Sequence, residues 1–135
     1  MTPKFRAWMK SLKWMCDVTN ISFDSKLVDI CQQGDTERCT EISVEFDEIE
    51  LMQSTFLFDK NNKEIFEGDV VRQVRTQPTT ENETITGVVT MLEGAWLIMN
   101  DNEQLASYLW SETDENEIIG DIYENPELLE DKKWN

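Results

Sequence analysis

The sequence predicts a mainly β protein: short antiparallel strands, an SH3-like small barrel in the C-terminal half, and one short C-terminal helix. Three observations lead there. Apolar and polar residues alternate over 41–46 and over 84–92, the period of a strand with one buried face. Turn signals separate the alternating runs: Asp59-Lys60-Asn61-Asn62-Lys63, Glu67-Gly68-Asp69 and Glu93-Gly94. From Gly68 onward a Gly-Asp-Val-Val strand, a longer strand, a tight hairpin and a closing strand follow in the order of an SH3-like unit. Residues 1–58 then form N-terminal β hairpins or a sheet, 59–131 the SH3-like unit, and 132–135 a frayed tail. Neither a repeat nor a Pro-rich linker separates the two parts, so they are expected to share one core.

The elements follow in order. Phe5, Ala7 and Met9 alternate with Lys4, Arg6 and Trp8, which argues a strand, and Trp14 to Phe23 reads as its return. The connection lacks Gly and Asn, so its turn type stays open, and Trp8 is expected to pair with Trp14 across it. Gln32-Gln33-Gly34-Asp35 signals a turn. Ile42, Val44 and Phe46 alternate with Glu41, Ser43 and Glu45, a half-buried strand with an acidic outer face. Leu51 to Phe58 is a further strand, Ile65-Phe66 pack inward, and Gly68 supplies a left-handed residue before the strand Val70 to Arg75. Gln77 to Glu83 is a polar loop. The strongest hairpin runs from Thr84 to Leu92, turns at Glu93-Gly94 and returns from Ala95 to Met99. Glu103 to Trp110 suits either a helix or a strand, with Trp110 read as core. Thr113 to Asn116 is a turn and Glu117 to Tyr123 a strand. Asn125-Pro126-Glu127 starts the helix, with Asn as its cap and Leu128-Leu129 docking it.

Composition excludes several functions. The 135 residues suit one domain or two very small ones. There are 28 acids against 12 bases, a net charge of −16. From Asp101 to Asp131 eleven acids occur without a base, whereas Lys4, Arg6, Lys10 and Lys13 make a small basic N-terminus. Such a chain repels a phosphate backbone, so direct nucleic-acid binding is not expected. The acidity reads either as a surface for a partner with a basic groove or, more simply, as a solubilising surface. Histidine is absent, which removes His-dependent nucleophile activation, His general bases and His metal ligands. Cys16, Cys31 and Cys39 form no C-x-x-C pair and read as reduced, structural thiols of a cytosolic protein. No apolar run is long enough for a signal peptide or a membrane span. In that compartment the acceptor triplets at Asn20 and Asn82 carry no meaning.

Two acidic groups merit weighing. Asp47-Glu48-Ile49-Glu50 could hold a divalent cation, but a solvated strand corner explains it better, since such sites need carboxylates converging from several elements. Glu67 and Asp69 could share a strand face, yet the Gly68 between them is better explained by a turn. No residue is therefore assigned a catalytic, cofactor-binding or metal-binding role, and no cofactor is expected.

Three stretches carry a family resemblance. Lys4-Phe5-Arg6-Ala7-Trp8, the run from Met52-Gln53 through Phe58-Asp59-Lys60-Asn61-Asn62-Lys63-Glu64-Ile65-Phe66-Glu67-Gly68-Asp69-Val70-Val71, and Ile118-Ile119-Gly120-Asp121-Ile122-Tyr123-Glu124-Asn125-Pro126-Glu127-Leu128-Leu129 together resemble the YopX-like proteins of phages and prophages of low-GC Gram-positive bacteria. The three span most of the chain in the family's order. Two departures stand out: Phe56 and Phe58 occupy places where the family usually has Gly and a polar residue, and Asn62 replaces the Gly of an Asp-Lys-Asn-Gly turn. The resemblance implies a mostly β fold, a homo-oligomer and a phage or prophage origin, with no catalytic residues.

Three functions compete. One is a non-enzymatic accessory protein acting by self-assembly or by binding a host or phage protein, with Trp8, Trp110 or Trp134 as anchors. Another is an acidic decoy that imitates DNA before a host nucleic-acid-binding protein, using Asp101 to Asp131. The third is an enzyme built on paired carboxylates, which the missing histidine makes the least favoured.

Overall fold

The computed structural model describes residues 3–33, 40–75, 83–100 and 105–129. Within them lie eleven strands and two single turns of 3-10 helix. The chain divides into two compact units, Met1–Ser54 and Thr55–Asn135.

The first unit is an antiparallel sheet of β1 (Phe5–Met9), β2 (Trp14–Ser22), β3 (Leu27–Gln32), β4 (Ile42–Glu45) and the start of β5 (Ile49–Phe58), in the order β4-β3-β2-β1-β5. Its interior is an apolar cluster of Ala7, Met9, Cys16, Val28, Ile30, Val44 and Ile49. The β1–β2 turn closes with Lys13 donating to the Met9 carbonyl (2.8 Å) and Lys13 itself at a φ of 57°. That geometry sets Met9 opposite Trp14 and Trp8 opposite Met15. Directly opposed residues share a face, so Trp8 and Trp14 lie on opposite faces and do not pair as expected.

Strand β3 has no counterpart in the sequence reading, although Val28 and Ile30 are buried with Asp29 between them. The alternation expected through Phe46 stops at Glu45. Phe46–Glu48 forms a 3-10 turn in which the Glu48 carboxylate accepts the Glu45 N–H (2.7 Å). Cys16 is a free, buried thiol whose pKa is raised by burial and then by Asp17. Cys31 corrects the expectation of three reduced thiols: it is disulfide-bonded, its partner lying outside the described residues.

In the second unit the end of β5 neighbours β6 (Glu64–Phe66). A five-stranded antiparallel sheet follows, made of β7 (Asp69–Arg75), β8 (Glu83–Leu92), β9 (Ala95–Asn100), β10 (Leu105–Tyr108) and β11 (Glu115–Asp121) in the order β10-β9-β8-β7-β11. Among the described residues no pairing of β10 with β11 closes it, so the expected SH3-like barrel is met here as an open sheet. The core is Ile65, Val71, Val89, Ile98 and Leu109. The hairpin at Glu93-Gly94 is as expected: Leu92 faces Ala95, and both turn residues have positive φ, the geometry that matches strand twist. The ambiguous stretch before Trp110 resolves as strand β10.

The expected C-terminal helix is a single 3-10 turn, Pro126–Leu129. Its reason is local. Asn125 does not turn its side chain forward as a cap; its Oδ1 accepts the Asp121 N–H (3.1 Å) behind it. A Cβ on Gly120 would collide with that Asn125 oxygen and with Leu128, so a larger residue here would push both side chains off β11. The tail after Leu129, Trp134, the turn at Gly34-Asp35 and the loop at 77–82 lie outside the described residues. No helix among the described residues is long and apolar enough to cross a membrane.

Candidate functional site

Three aspartates in the second unit act on backbone rather than on solvent. Asp59 is 6 % exposed. Its Oδ1 accepts the N–H groups of Asn61 and Lys63 (both 2.9 Å) and its Oδ2 the N–H of Ile118 (3.0 Å). Burial pushes this carboxyl up. The donors from Ile118, Lys63 and Asn61, together with the Lys63 charge, outweigh burial and leave its pKa below the ordinary value. Asp69 accepts the Phe66 N–H (2.8 Å) around Gly68, whose φ of 89° suits the expected left-handed turn. Asp121 accepts the N–H groups of Tyr123 and Glu124 (2.9 and 2.8 Å). Asp69 and Asp121 are paired positions of β7 and β11.

These contacts decide the carboxylate candidates. Asp69 folds back onto Phe66, so it does not form the shared face with Glu67 that alternation suggested. In the first unit, Glu48 is engaged with Glu45, and Lys10 pairs with Glu50 (3.2 Å) while donating to the Asp47 carbonyl (3.1 Å). Glu48 and Glu50 are thus engaged by different partners, and Lys10 reaches Asp47 only at its backbone carbonyl. Among the described residues no three acidic or sulfur groups converge as a metal site.

Exposed aromatic side chains cluster in one place, within a groove whose other lining is largely polar. An open groove of about 520 Å³ is lined by Phe56, Phe58, Leu109, Trp110, Asp114 and Glu115, among others. Phe58 is 57 % exposed and Trp110 62 %. Trp110, read from sequence as core, is therefore surface. Tyr108 is exposed beside it and lines the adjoining depression with Trp110 and Arg75. Leu109 between them is fully buried and donates its N–H to the Trp96 carbonyl (3.0 Å). The in–out alternation continues one step past the end of β10 because Leu109 is still bonded to Trp96 and to Asn116, leaving one buried anchor with an exposed aromatic on either side.

Gln73 holds that segment in place. It is fully buried on β7. Its Nε2 donates to the Tyr108 carbonyl (3.1 Å) and to Asn116 Oδ1 (3.0 Å), and its Oε1 accepts from the Ser107 hydroxyl (2.8 Å). Asn116 Nδ2 in turn donates to the Leu109 carbonyl (2.8 Å). On the other wall, the Lys60 N–H donates to the Asn116 carbonyl (2.8 Å). Glu117 takes Arg72 (2.9 Å) and Lys60 (3.6 Å), and the Arg72 hydrogen bond followed by the Lys60 charge lowers its pKa. Sequence reasoning missed Gln73; a neutral polar residue two positions after Val71, on the strand face that Val71 buries, is the signal it left.

Phe56 sits at a φ of 60°, a region where bulky side chains are strained. Thr55, buried beside it, fixes the kink: its hydroxyl donates to the Ile65 carbonyl (2.7 Å) and accepts the Leu57 N–H (3.1 Å). Phe56→Gly should therefore cost under about 1 kcal/mol, because relief of strain offsets the lost burial and the added chain entropy. A core Phe truncation costs about 3–5 kcal/mol. Urea unfolding measures the difference, and a loss in that core range would contradict strain at Phe56.

The comparisons with known proteins follow from these same segments. The family model described as YopX protein matches residues 4–130. The chain belongs to the YopX family. Among solved structures, protein EF1440 from Enterococcus faecalis is similar at 30 % identity and a TM-score of 0.63, covering 96 % of this chain and 99 % of that one. Protein yopX from Bacillus subtilis is similar in fold at 18 % identity and a TM-score of 0.58, covering 94 % and 98 %. No curated protein sequence gives a significant match. Within this YopX-family chain the resembling stretches now have a physical content: Asp59, Gly68, Asp69, Gly120, Asp121 and Asn125 are turn and backbone fasteners. Phe56 and Asn62, within the central resembling stretch, both have positive φ (60° and 64°).

Proposed function

We propose that this YopX-family chain is a phage- or prophage-encoded accessory protein of the bacterial cytoplasm, without enzymatic activity, that acts by binding proteins: copies of itself or a host or phage partner. The observation that carries this reading is the exposed aromatic set Phe58, Tyr108 and Trp110, mounted on a buried hydrogen-bonded frame. Apolar aromatic surface costs free energy in water, and exposed sets of this kind concentrate at interfaces. The SH3-like reading of residues 59–131 goes with it, since aromatic grooves on small β-units commonly receive extended peptides. The fate of the carboxylates also supports it: Asp59, Asp69 and Asp121 are consumed by backbone N–H groups.

The alternative, an acidic imitation of DNA, draws on the net charge of −16 but has less support. Of its base-free stretch, Glu117 is neutralised by Arg72 and Lys60, and Asp121 is buried in its turn.

The test compares the wild type with the Phe58→Ala/Trp110→Ala double variant, both checked for folding by circular dichroism. Light scattering reads self-association, and capture from nuclease-treated lysate reads partners. A defined multimer, or a defined partner, that the double variant loses is expected. Wild type that is monomeric and retains nothing the variant does not also retain would overturn the reading.

A further inference from the structure

We infer that the Phe56/Phe58/Trp110 groove takes an extended segment of a different protein in which an apolar side chain is flanked by lysine or arginine. This rests on the protein-binding reading above and specifies the occupant of the same groove.

The apolar requirement comes from the walls. Phe56, Phe58 and Trp110 surround a space of about 520 Å³ above buried Leu109. The groove is open along the surface, so it suits a chain laid across it better than a small molecule, which pockets enclose on most sides. Phe56 strengthens the assignment. The backbone there has the φ of a glycine, and the ring is 36 % exposed. Core packing does not account for a strained, partly exposed aromatic, whereas a role in the groove wall does.

The cationic requirement comes from one lip. Glu112, Asp114 and Glu115 fall within four positions on the segment that carries Trp110, and Asp114 and Glu115 line the groove directly. Among the described residues no cation pairs with any of the three; Asp114 receives only the Thr113 hydroxyl (3.3 Å). Lys60, which also lines the groove, pairs with Glu117 (3.6 Å). The lip therefore presents three carboxylates beside the aromatic walls, with Arg75 in the adjoining depression as the cation facing Glu112 and Asp114.

That combination discriminates between occupants. Single-stranded nucleic acid stacks on aromatics but needs a cationic groove to hold its phosphates, and this lip repels them. A second copy brings the same net charge of −16 and is a poorer match. A foreign segment with Lys or Arg on either side of an apolar residue satisfies both halves of the surface.

The experiment is a peptide-display selection against the full chain at physiological salt. The selected peptides are then synthesised and their affinities measured by calorimetry. Three proteins are compared: wild type, Trp110→Ala, and the triple variant Glu112→Gln/Asp114→Asn/Glu115→Gln, each confirmed folded by circular dichroism. The inference expects Lys and Arg enriched beside an apolar residue. It expects a loss of tenfold or more in Trp110→Ala, the size of an anchor truncation. It expects about a tenfold loss in the triple variant, with a flattened salt dependence, from three exposed charge pairs. Peptides without cation enrichment, or with affinity unchanged in the triple variant, overturn the inference while the Trp110→Ala loss still supports a binding groove. Peptides that bind Trp110→Ala as tightly as wild type, or a selection that yields none above background, overturn the groove itself.

Discussion

Asp59→Ala should lower stability by on the order of 3–4 kcal/mol, the larger of the two effects expected on folding. The substitution removes the acceptor of three N–H groups, from Asn61, Lys63 and Ile118. Hydrogen bonds to a charged acceptor contribute about 1.5–3 kcal/mol each, and water at the partly exposed turn recovers some of the loss. Asp59→Asn should fall between, because Oδ1 can still serve Asn61 and Lys63 while the new amide opposes the Ile118 N–H. Urea unfolding followed by circular dichroism measures both. An alanine variant within about 1 kcal/mol of wild type would mean that the carboxylate does not fasten the turn to β11.

The same contacts predict an acid dependence. Asp59's folded pKa is lowered relative to its unfolded value. Its stabilisation is fully present above the unfolded carboxylate range, near about 4, and is lost as pH falls through the lowered folded pKa. Wild type should therefore lose stability more steeply than Asp59→Asn on acidification below that range. Parallel curves would contradict the assignment.

Gln73→Leu should cost about 2–3 kcal/mol and, more tellingly, loosen residues 107–116. Leucine fills nearly the same volume, so the loss isolates the polar contacts. The Ser107 hydroxyl, the Tyr108 carbonyl and Asn116 Oδ1 would each lose a partner away from bulk water, at about 1–3 kcal/mol for each group left fully unsatisfied. Partial rearrangement of Asn116 recovers part of that. Hydrogen exchange of the Leu109 N–H, bonded to Trp96, should accelerate far more than exchange in the β8–β9 hairpin. Binding through Trp110 should weaken in parallel, because a mobile anchor must be ordered on association. Uniform acceleration across the sheet would assign Gln73 to global stability and not to the positioning of the groove.

The residues that were legible and those that were not differ in the range of the forces acting on them. Gly68, the Ile65-Phe66 pair and the hairpin at Glu93-Gly94 could be read because their conformations follow from neighbours a few positions away. Strand β3 was passed over because the turn before it places Lys26 at a φ of 57° with no Gly or Asn to announce it, although Val28 and Ile30 carried the period. The expected Trp8–Trp14 pair failed on a one-residue question of register, which the turn at Lys13 decided. A helix was expected after Asn125 from its cap-like residues; Gly120 and Asp121, behind it, drew Asn125's side chain the other way. Of the groove, only Trp110 had been considered as an anchor; Phe56 and Phe58 had been noted as departures from the family pattern and not as its neighbours.

By itself the sequence determined the β class, the family, the absence of histidine chemistry, the acidity and the local turns, since composition, alternation and turn chemistry act over a few residues. Only the tertiary structure decided which acids are spent on backbone N–H groups and which remain on the surface. It alone set Gln73 under Tyr108 and Trp110, and it alone brought Phe56 and Phe58 beside Trp110. These partners lie more than thirty positions apart, and strand pairing across β7, β9, β10 and β11, driven by burial of Val71, Ile98 and Leu109, brings them together.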